Sequence, residues 1–317
     1  MTDVLLTDYA WPDDALERDV IERAGFSLAS GASAPAPAAE IEALVRRHRP
    51  RAIMTCWARV SADAIAAAPD LRIVQRLGVG LDNIDVAAAT ARKVVVTNVP
   101  DYCVEEVSDH AVGLALAWAR GIVAFDRSVK AGAWAPESAR LHRVRDLNVG
   151  IVGYGRIGRR TAEKLAPFGV RILAQSPSYT GGHVAEAAAF DVLLAASDIV
   201  IIHAPLTDAT HHLFDAARIA AMKPGAFLIN VSRGPIVDNA ALLAALDEGR
   251  LAGAGLDVVE SEPSPPPEIV ARPDVIVTPH VAFSSAASLA ELRRRAAEEV
   301  VRVLRGESAQ FPCNAVN

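Results

Sequence analysis

Cysteine is scarce in this 317-residue chain. Cys56, Cys103 and Cys313 are the only three, and no two stand in C-x-x-C spacing. That excludes a disulfide framework and a cysteine-built zinc site, and no metal centre is expected. Long apolar runs are missing too. The longest near the middle, residues 111–119, is bounded by His110 and Arg120, whereas a membrane-spanning helix needs about 20 apolar residues. The opening MTDVLLTDYAWPDD carries acids and no basic lead, so no secretory signal is expected and the location is read as cytoplasmic. Positive charge is not in excess. Lys and Arg number 32 against 38 Asp and Glu, a net charge of −6. A nucleic-acid binder needs a basic face, so neither nucleic acid nor membrane is an expected partner.

What is present is a globular composition, 51% apolar and 22% charged, with a length that suits two domains of about 150 residues each. Short, continuous, β-branched runs alternate with helical patterns. Strands are expected at residues 4–7, 52–55, 73–77, 94–98, 149–153, 171–174, 199–203, 227–231, 255–258 and 275–278. Continuous rather than alternating apolar runs suit parallel strands covered on both faces, hence a doubly wound α/β architecture. Residues 30–40 (SGASAPAPAAE) read as a mobile surface loop, and residues 261–267 (SEPSPPP) as a stiff extended one. The last helix, residues 285–305, is amphipathic. Leu289, Leu292, Ala296, Val300 and Val303 share one face, while Arg293, Arg294, Glu298 and Arg302 lie largely on a solvated one. Residues 104–120 form a helix so rich in apolar residues that a symmetric dimer contact is expected there.

The strongest single pattern is Gly153-x-Gly155-x-x-Gly158, after an apolar strand and before a helical pattern and a second strand. In that context Gly153 permits the tight turn, Gly155 lets backbone approach a pyrophosphate, and Gly158 lets helix and strand pack. The helix N-terminus adds unpaired N–H groups for phosphate. An acid that accepts ribose hydroxyls normally ends the second strand; here Ser176 stands 18 residues past Gly158, with no arginine directly after it. NAD and NADP both stay open, with NAD slightly favoured.

Three further segments place polar residues just after strands: Asn230–Gly234 with Arg233, Leu256–Pro263 with Asp257 and Glu262, and Thr278–Val281 with His280. Open α/β sheets bind ligands at the carboxyl ends of their strands. An arginine there offers a planar fork to a carboxylate, and a histidine beside a glutamate can serve as a general acid.

The segments GVGLDNID (78–85), GYGRIG (153–158), HAPLTDAT (203–210), NVSRGPIVD (230–238), LDVVESEP (256–263) and TPH (278–280) together resemble the D-isomer-specific 2-hydroxyacid dehydrogenase family. VPDYCVEEVSDH (99–110), the His211–His212 pair and ESEP (260–263) look closest to its C-terminal-binding-protein-like branch. The resemblance implies an NAD(P)-dependent oxidoreductase acting on a 2-keto/2-hydroxy acid pair, as a homodimer. The alternative it allows is an NAD(H)-sensing, corepressor-like interaction protein of the same fold. It implies that Arg233 binds the substrate carboxylate and carbonyl, that His280 is the acid/base, and that Glu262 holds His280. The amides of Val79 and Gly80 would bind the carboxylate. Gly153, Gly155 and Gly158, with the amides of Arg156 and Ile157, would take the pyrophosphate. Ser176, His203, Ala204, Pro205 and Thr210 would line the adenosine side, Val231 and Ser232 the nicotinamide side, and Asp257 would meet the carboxamide. Glu262 disfavours a formate-oxidising enzyme, whose pattern has glutamine there. Two doubly wound domains follow: a flavodoxin-like substrate domain (1–98 plus 285–317) and a Rossmann cofactor domain (99–284), with the cleft between them.

Overall fold

A computed structural model describes residues 2–316, which divide into two compact units. One comprises the chain up to Tyr102 together with the segment from Ser285 onward; the other runs from Cys103 to Ser284.

In the first unit, strands β1 (Val4–Asp8), β2 (Leu28–Ala32), β3 (Ala52–Thr55), β4 (Ile73–Arg76) and β5 (Val95–Thr97) make one parallel sheet in the order β2-β1-β3-β4-β5. This is the flavodoxin-like order. Every residue of β1, β3, β4 and β5 is buried, as continuous apolar runs require. The loop expected at 30–40 is corrected at both ends: β2 takes in Ser30–Ala32, and the helix Ala38–His48 begins before the segment closes. The strand was illegible because small residues replace β-branched ones. Gly31 lies so close to β1 that a Cβ there would sit 2.2 Å from the Thr7 carbonyl oxygen.

The helix Ala286–Leu304 begins at a capping box in which Ser285 and Ser288 bond each other's backbone amides. Leu292, Ala296, Val300 and Val303 are buried as expected. Arg293 is the exception on the charged face. Its guanidinium forms a two-pronged contact with Glu17 at 2.7 and 2.9 Å and lies over the Trp11 ring. The Glu17 side chain is 0% exposed, so removing its partner would strand a buried charge, at a cost of about 3–5 kcal/mol.

In the second unit, β6 (Asn148–Val152), β7 (Arg171–Gln175), β8 (Glu186–Ala187), β9 (Ile199–Ile202), β10 (Ala226–Asn230), β11 (Leu251–Leu256) and β12 (Val275–Val277) pair in parallel, in the order β12-β11-β10-β9-β6-β7-β8. Counted from β6, that is the Rossmann order, reversing between β6 and β9. β8 escaped the sequence because it is a two-residue exposed edge. β11 starts earlier than its sequence pattern suggests, in LAGAGL, where glycine and alanine hide a buried strand. The proline segment is not extended throughout: Pro267 opens the helix Pro267–Val270, the one helical position proline suits.

The helix Val104–Ala119 buries Val107, Ala111, Val112, Leu114 and Ala115 within this unit, packing against the helix Arg156–Leu165 and against β10. Those apolar residues serve the unit's own core. Among the described residues, no helix is long and apolar enough to cross a membrane.

Candidate active site

The sheet of the second unit reverses between β6 and β9, and the glycine turn sits there. Val152 pairs with Ile202 at the carboxyl ends of these strands, so Gly153 and His203 emerge side by side. Gly153 has φ +94, and a Cβ on it would lie 2.4 Å from the Ala204 amide nitrogen. A Cβ on Gly158 would lie 2.2 Å from the Gly153 carbonyl oxygen. These two glycines are demanded by the chain's own packing. Gly155 is different: a Cβ there meets nothing within 4 Å. Its smallness is explained by space that a ligand would fill.

Gly155 is also the N-cap of the helix Arg156–Leu165 and offers no capping side chain. The first-turn amides of that helix, Arg156 and Ile157 among them, have no intrahelical acceptor and suit an anion. The residues present therefore fit a dinucleotide pyrophosphate.

Around this turn the expected lining residues are ordered. The His203 ring nitrogen Nε2 is 2.9 Å from the Thr161 hydroxyl, and the His203 amide donates to the Val152 carbonyl. Desolvation pushes the His203 imidazole down to about 3, so the ring is neutral at physiological pH. Thr210 Oγ1 donates to the Pro205 carbonyl at 2.7 Å and accepts from the Thr207 amide, fixing the 205–210 turn. Ser232 Oγ donates to the Ala204 carbonyl, and Val231 is buried. Ser176 is half-buried at the end of β7, where its carbonyl accepts from the Tyr179 amide. Tyr179 lies against Tyr154 with ring centroids 4.2 Å apart and planes tilted by 40°, and the Arg159 guanidinium lies 5.0 Å over Tyr154 and 5.5 Å over Tyr179.

The second cluster lies at the carboxyl ends of β10, β11 and β12. His280 Nδ1 is 2.7 Å from Glu262 Oε2, and Glu262 Oε1 accepts from the Val259 amide at 2.9 Å. Both carboxylate oxygens are thus oriented. His280 has φ +52, a left-handed conformation that costs energy in any residue but glycine. It is held there by its amide, which donates to the Asp257 carbonyl at 2.8 Å. Arg233 follows β10; its carbonyl accepts from the Asn230 side chain, and one guanidinium nitrogen donates to the Ser232 carbonyl. Gly234 packs so tightly on the next loop that a Cβ would lie 2.0 Å from the Val259 carbonyl oxygen. That contact presses the Arg233 loop onto the segment that carries Glu262.

Asp257 directly follows β11. It is 2% exposed, and its carboxylate accepts from the Thr278 hydroxyl (2.6 Å) and the amides of Val281 and Ala282 (2.9 Å each). His110 bonds the same Thr278 hydroxyl from the helix Val104–Ala119. These bonds tie the Asp257 carboxylate to the loop that carries His280. His110 and Thr161 are site residues that sequence reasoning missed, since a lone polar residue on a helix carries no signal.

Val79 and Gly80 follow β4 in the first unit. The Gly78 carbonyl accepts from the Val99 amide and the Val79 carbonyl from the Asn98 side chain. Because a trans peptide points its C=O and N–H in opposite directions, the Val79 and Gly80 amides face away from residues 98–99 as a pair. In the same unit Asp8, also unforeseen, is fully buried and accepts from the amides of Cys56, Trp57 and Ala58. Arg76 lies 5.5 Å over the Trp57 ring, while Tyr102 and Cys103 are buried.

Comparison with known proteins bears on this arrangement. Residues 112–282 match the family model described as D-isomer specific 2-hydroxyacid dehydrogenase, NAD binding domain. The chain is 38% identical to a glyoxylate reductase of Thermofilum pendens over 278 residues, 84% of this chain and 82% of that protein. It is 40% identical over 262 residues to the D-3-phosphoglycerate dehydrogenase of Mycobacterium leprae, covering 81% of this chain. The chain spans about half the length of that relative, 49%. An NADPH-dependent glyoxylate/hydroxypyruvate reductase from Sinorhizobium meliloti, solved with NADP and malonate, superposes with a TM-score of 0.85 at 32% identity, covering 98% of this chain and 97% of that one.

The neutral His203 makes a testable demand. Its folded pKa lies below the unfolded value of about 6.5. Its contribution to stability is therefore intact above about pH 6.5 and is lost as pH falls towards the folded value, because only the unfolded chain gains the proton. His203→Gln does not titrate. The stability advantage of the parent over this variant should shrink steadily from pH 7 to pH 4.5 in urea unfolding. A difference that does not change with pH would contradict the assignment.

Proposed function

Because the chain belongs to the D-isomer-specific 2-hydroxyacid dehydrogenase family, we propose that it transfers a hydride between a nicotinamide cofactor, NAD or NADP, and a D-2-hydroxy acid/2-keto acid pair. The observation that carries this reading is the 2.7 Å contact between Glu262 and His280, at the carboxyl edge of the sheet whose switch point holds the glycine turn. When bound, the nicotinamide ring supplies or accepts the hydride.

The rest is work for the chain's own side chains. Glu262 grips His280 through Nδ1 and balances the ring's charge when it is protonated. Nε2 is then the atom that gives a proton to the carbonyl oxygen in reduction and removes the hydroxyl proton in reverse. Arg233 binds the substrate carboxylate with its planar fork and stabilises negative charge on the reacting oxygen. The paired amides of Val79 and Gly80 are suited to a carboxylate. Asp257 and Thr278 position His280. The amides after Gly155 take the pyrophosphate, and the first and second units correspond to the substrate and cofactor domains.

Cytoplasmic location is part of the same reading, supported by the scarcity of cysteine, three in 317 residues. So is a homodimer, with the surface that follows the helix Val104–Ala119 contributing to the contact. The next helix, Ile122–Lys130, buries none of its residues, and Trp134 beyond it is 85% exposed. An apolar surface of this kind, with Ile122, Val129 and Leu141 also exposed, suits a second copy of the chain.

Three outcomes follow. Arg233→Ala and His280→Ala should each lower kcat by about 10²-fold or more while cofactor affinity, read by fluorescence titration, changes little. Near-parental rates in either would overturn the assignment. Absence of turnover in the parent with any 2-keto acid, despite tight cofactor binding, would favour the sensing alternative. Ser176→Asp should shift the NAD-to-NADP ratio of kcat/KM towards NAD, because a carboxylate pairs with free ribose hydroxyls and repels a 2′-phosphate; an unchanged ratio would remove Ser176 from the ribose. In sedimentation the chain should run at twice its 33.4 kDa mass, and Trp134→Glu should release monomer. A parent that sediments as monomer would end the dimer proposal.

A further inference from the structure

We propose that His211, His212 and Glu260 form a binding site for one divalent transition-metal ion of the zinc class. Cysteine spacing gives no hint of it, because the ligands are imidazoles and a carboxylate from two separate segments. One ligand atom from each residue lies within 4.8 Å of the other two. His212 Nε2 and Glu260 Oε1 are 2.6 Å apart, and the two imidazole centroids are 4.1 Å apart with planes tilted by 30°.

Neighbouring side chains on an extended chain point to opposite sides. His212 has φ +48, and that left-handed turn brings both rings to one side. The backbone beneath them is fixed. The His211 amide donates to the Thr207 carbonyl at 2.9 Å, and the His212 amide to the Pro235 carbonyl at 2.8 Å. Glu260 is equally anchored, since its backbone follows the Val259 carbonyl that packs on Gly234.

Zinc binds histidine nitrogen and carboxylate oxygen at about 2.0–2.2 Å, which places tetrahedral donors about 3.4 Å apart. The His212–Glu260 contact would open by about 0.8 Å and the wider separations would close by at most about 1.4 Å. Side chains with 35% and 32% exposure reach this by rotation alone. Two imidazoles and a single carboxylate select zinc, nickel or copper over magnesium and calcium, which prefer all-oxygen sites. Solvent supplies the remaining position. The ion would tie the 205–212 turn to the segment carrying Glu262 and steady that segment. This last consequence rests on the function proposed above; the binding itself does not.

The test is calorimetric titration of the full, chelator-treated chain with zinc, together with cobalt followed by its visible absorption bands. One ion per chain at micromolar affinity is expected, with cobalt bands typical of a four- or five-coordinate site. His211→Ala, His212→Ala and Glu260→Gln should each weaken binding at least about tenfold. His280→Ala, Glu262→Gln and the exposed-histidine control His183→Ala should bind as the parent does. Circular dichroism of each metal-free variant checks that it is folded. No binding by the parent overturns the proposal. So does binding that survives loss of His211 and His212 but disappears in His280→Ala, which would move the ion to the His280–Glu262 pair.

Discussion

The buried carboxylate of Asp257 is the constraint on which the candidate chemistry depends. It leaves β11 at its carboxyl end and takes three donors from the loop after β12: the Thr278 hydroxyl and the amides of Val281 and Ala282. A carboxylate removed from water is stable only when its oxygens are satisfied, and here the donors come from one short loop. That loop cannot relax without stranding the charge. His280 is thereby held at φ +52, a conformation it would not keep unaided, with Nδ1 turned to Glu262. Glu262 is fixed in turn through the Val259 amide. A histidine that must move a proton at one nitrogen is aligned by everything attached to the other.

The first unit repeats the device with different residues. Asp8 ends β1, is fully buried, and accepts from three consecutive amides, Cys56, Trp57 and Ala58, in the loop after β3. In both sheets an aspartate at a strand's carboxyl end captures the loop of an adjacent strand. Carboxyl ends are where open α/β sheets present their loops to ligands, and connections of this kind need an internal anchor if they are to hold geometry. Trp57, over which Arg76 lies, is placed by this anchor in the way His280 is placed by Asp257.

How much of this was legible follows from where the information sits. Continuous β-branched runs announced most of the strands, because a strand buried on both faces must be apolar throughout. β2 and β11 were hidden or misplaced where the chain needs close approach instead of bulk, as Gly31 against Thr7 illustrates. The Glu262–His280 pair and the Gly153–Gly158 turn were readable because each sits just after a strand, in a motif with its own chemistry. Asp257 was singled out, but its hold on the loop after β12 was not legible: a strand-end acid looks the same in sequence whether or not a neighbouring loop is bound to it. Arg293 looked solvated because helical periodicity sees only its own helix, whereas its partner Glu17 lies 276 residues away. Asp8 and His110 gave no signal, since the groups that make them important are distant along the chain.

The glycine turn shows how a structure separates what packing requires from what a ligand requires. Gly153 and Gly158 cannot bear a Cβ, because backbone atoms of this same chain already occupy the space. They would be needed in any protein folded this way, whether or not it binds a nucleotide. Gly155 has open space around it and does not occupy a left-handed conformation, so neither sterics nor φ explains it. A small residue that the fold does not demand, at the uncapped N-terminus of a ten-residue helix and beside the point where the strand order reverses, is accounted for by an anionic group approaching the backbone there. The motif as a whole identifies the turn; Gly155 alone speaks for the ligand.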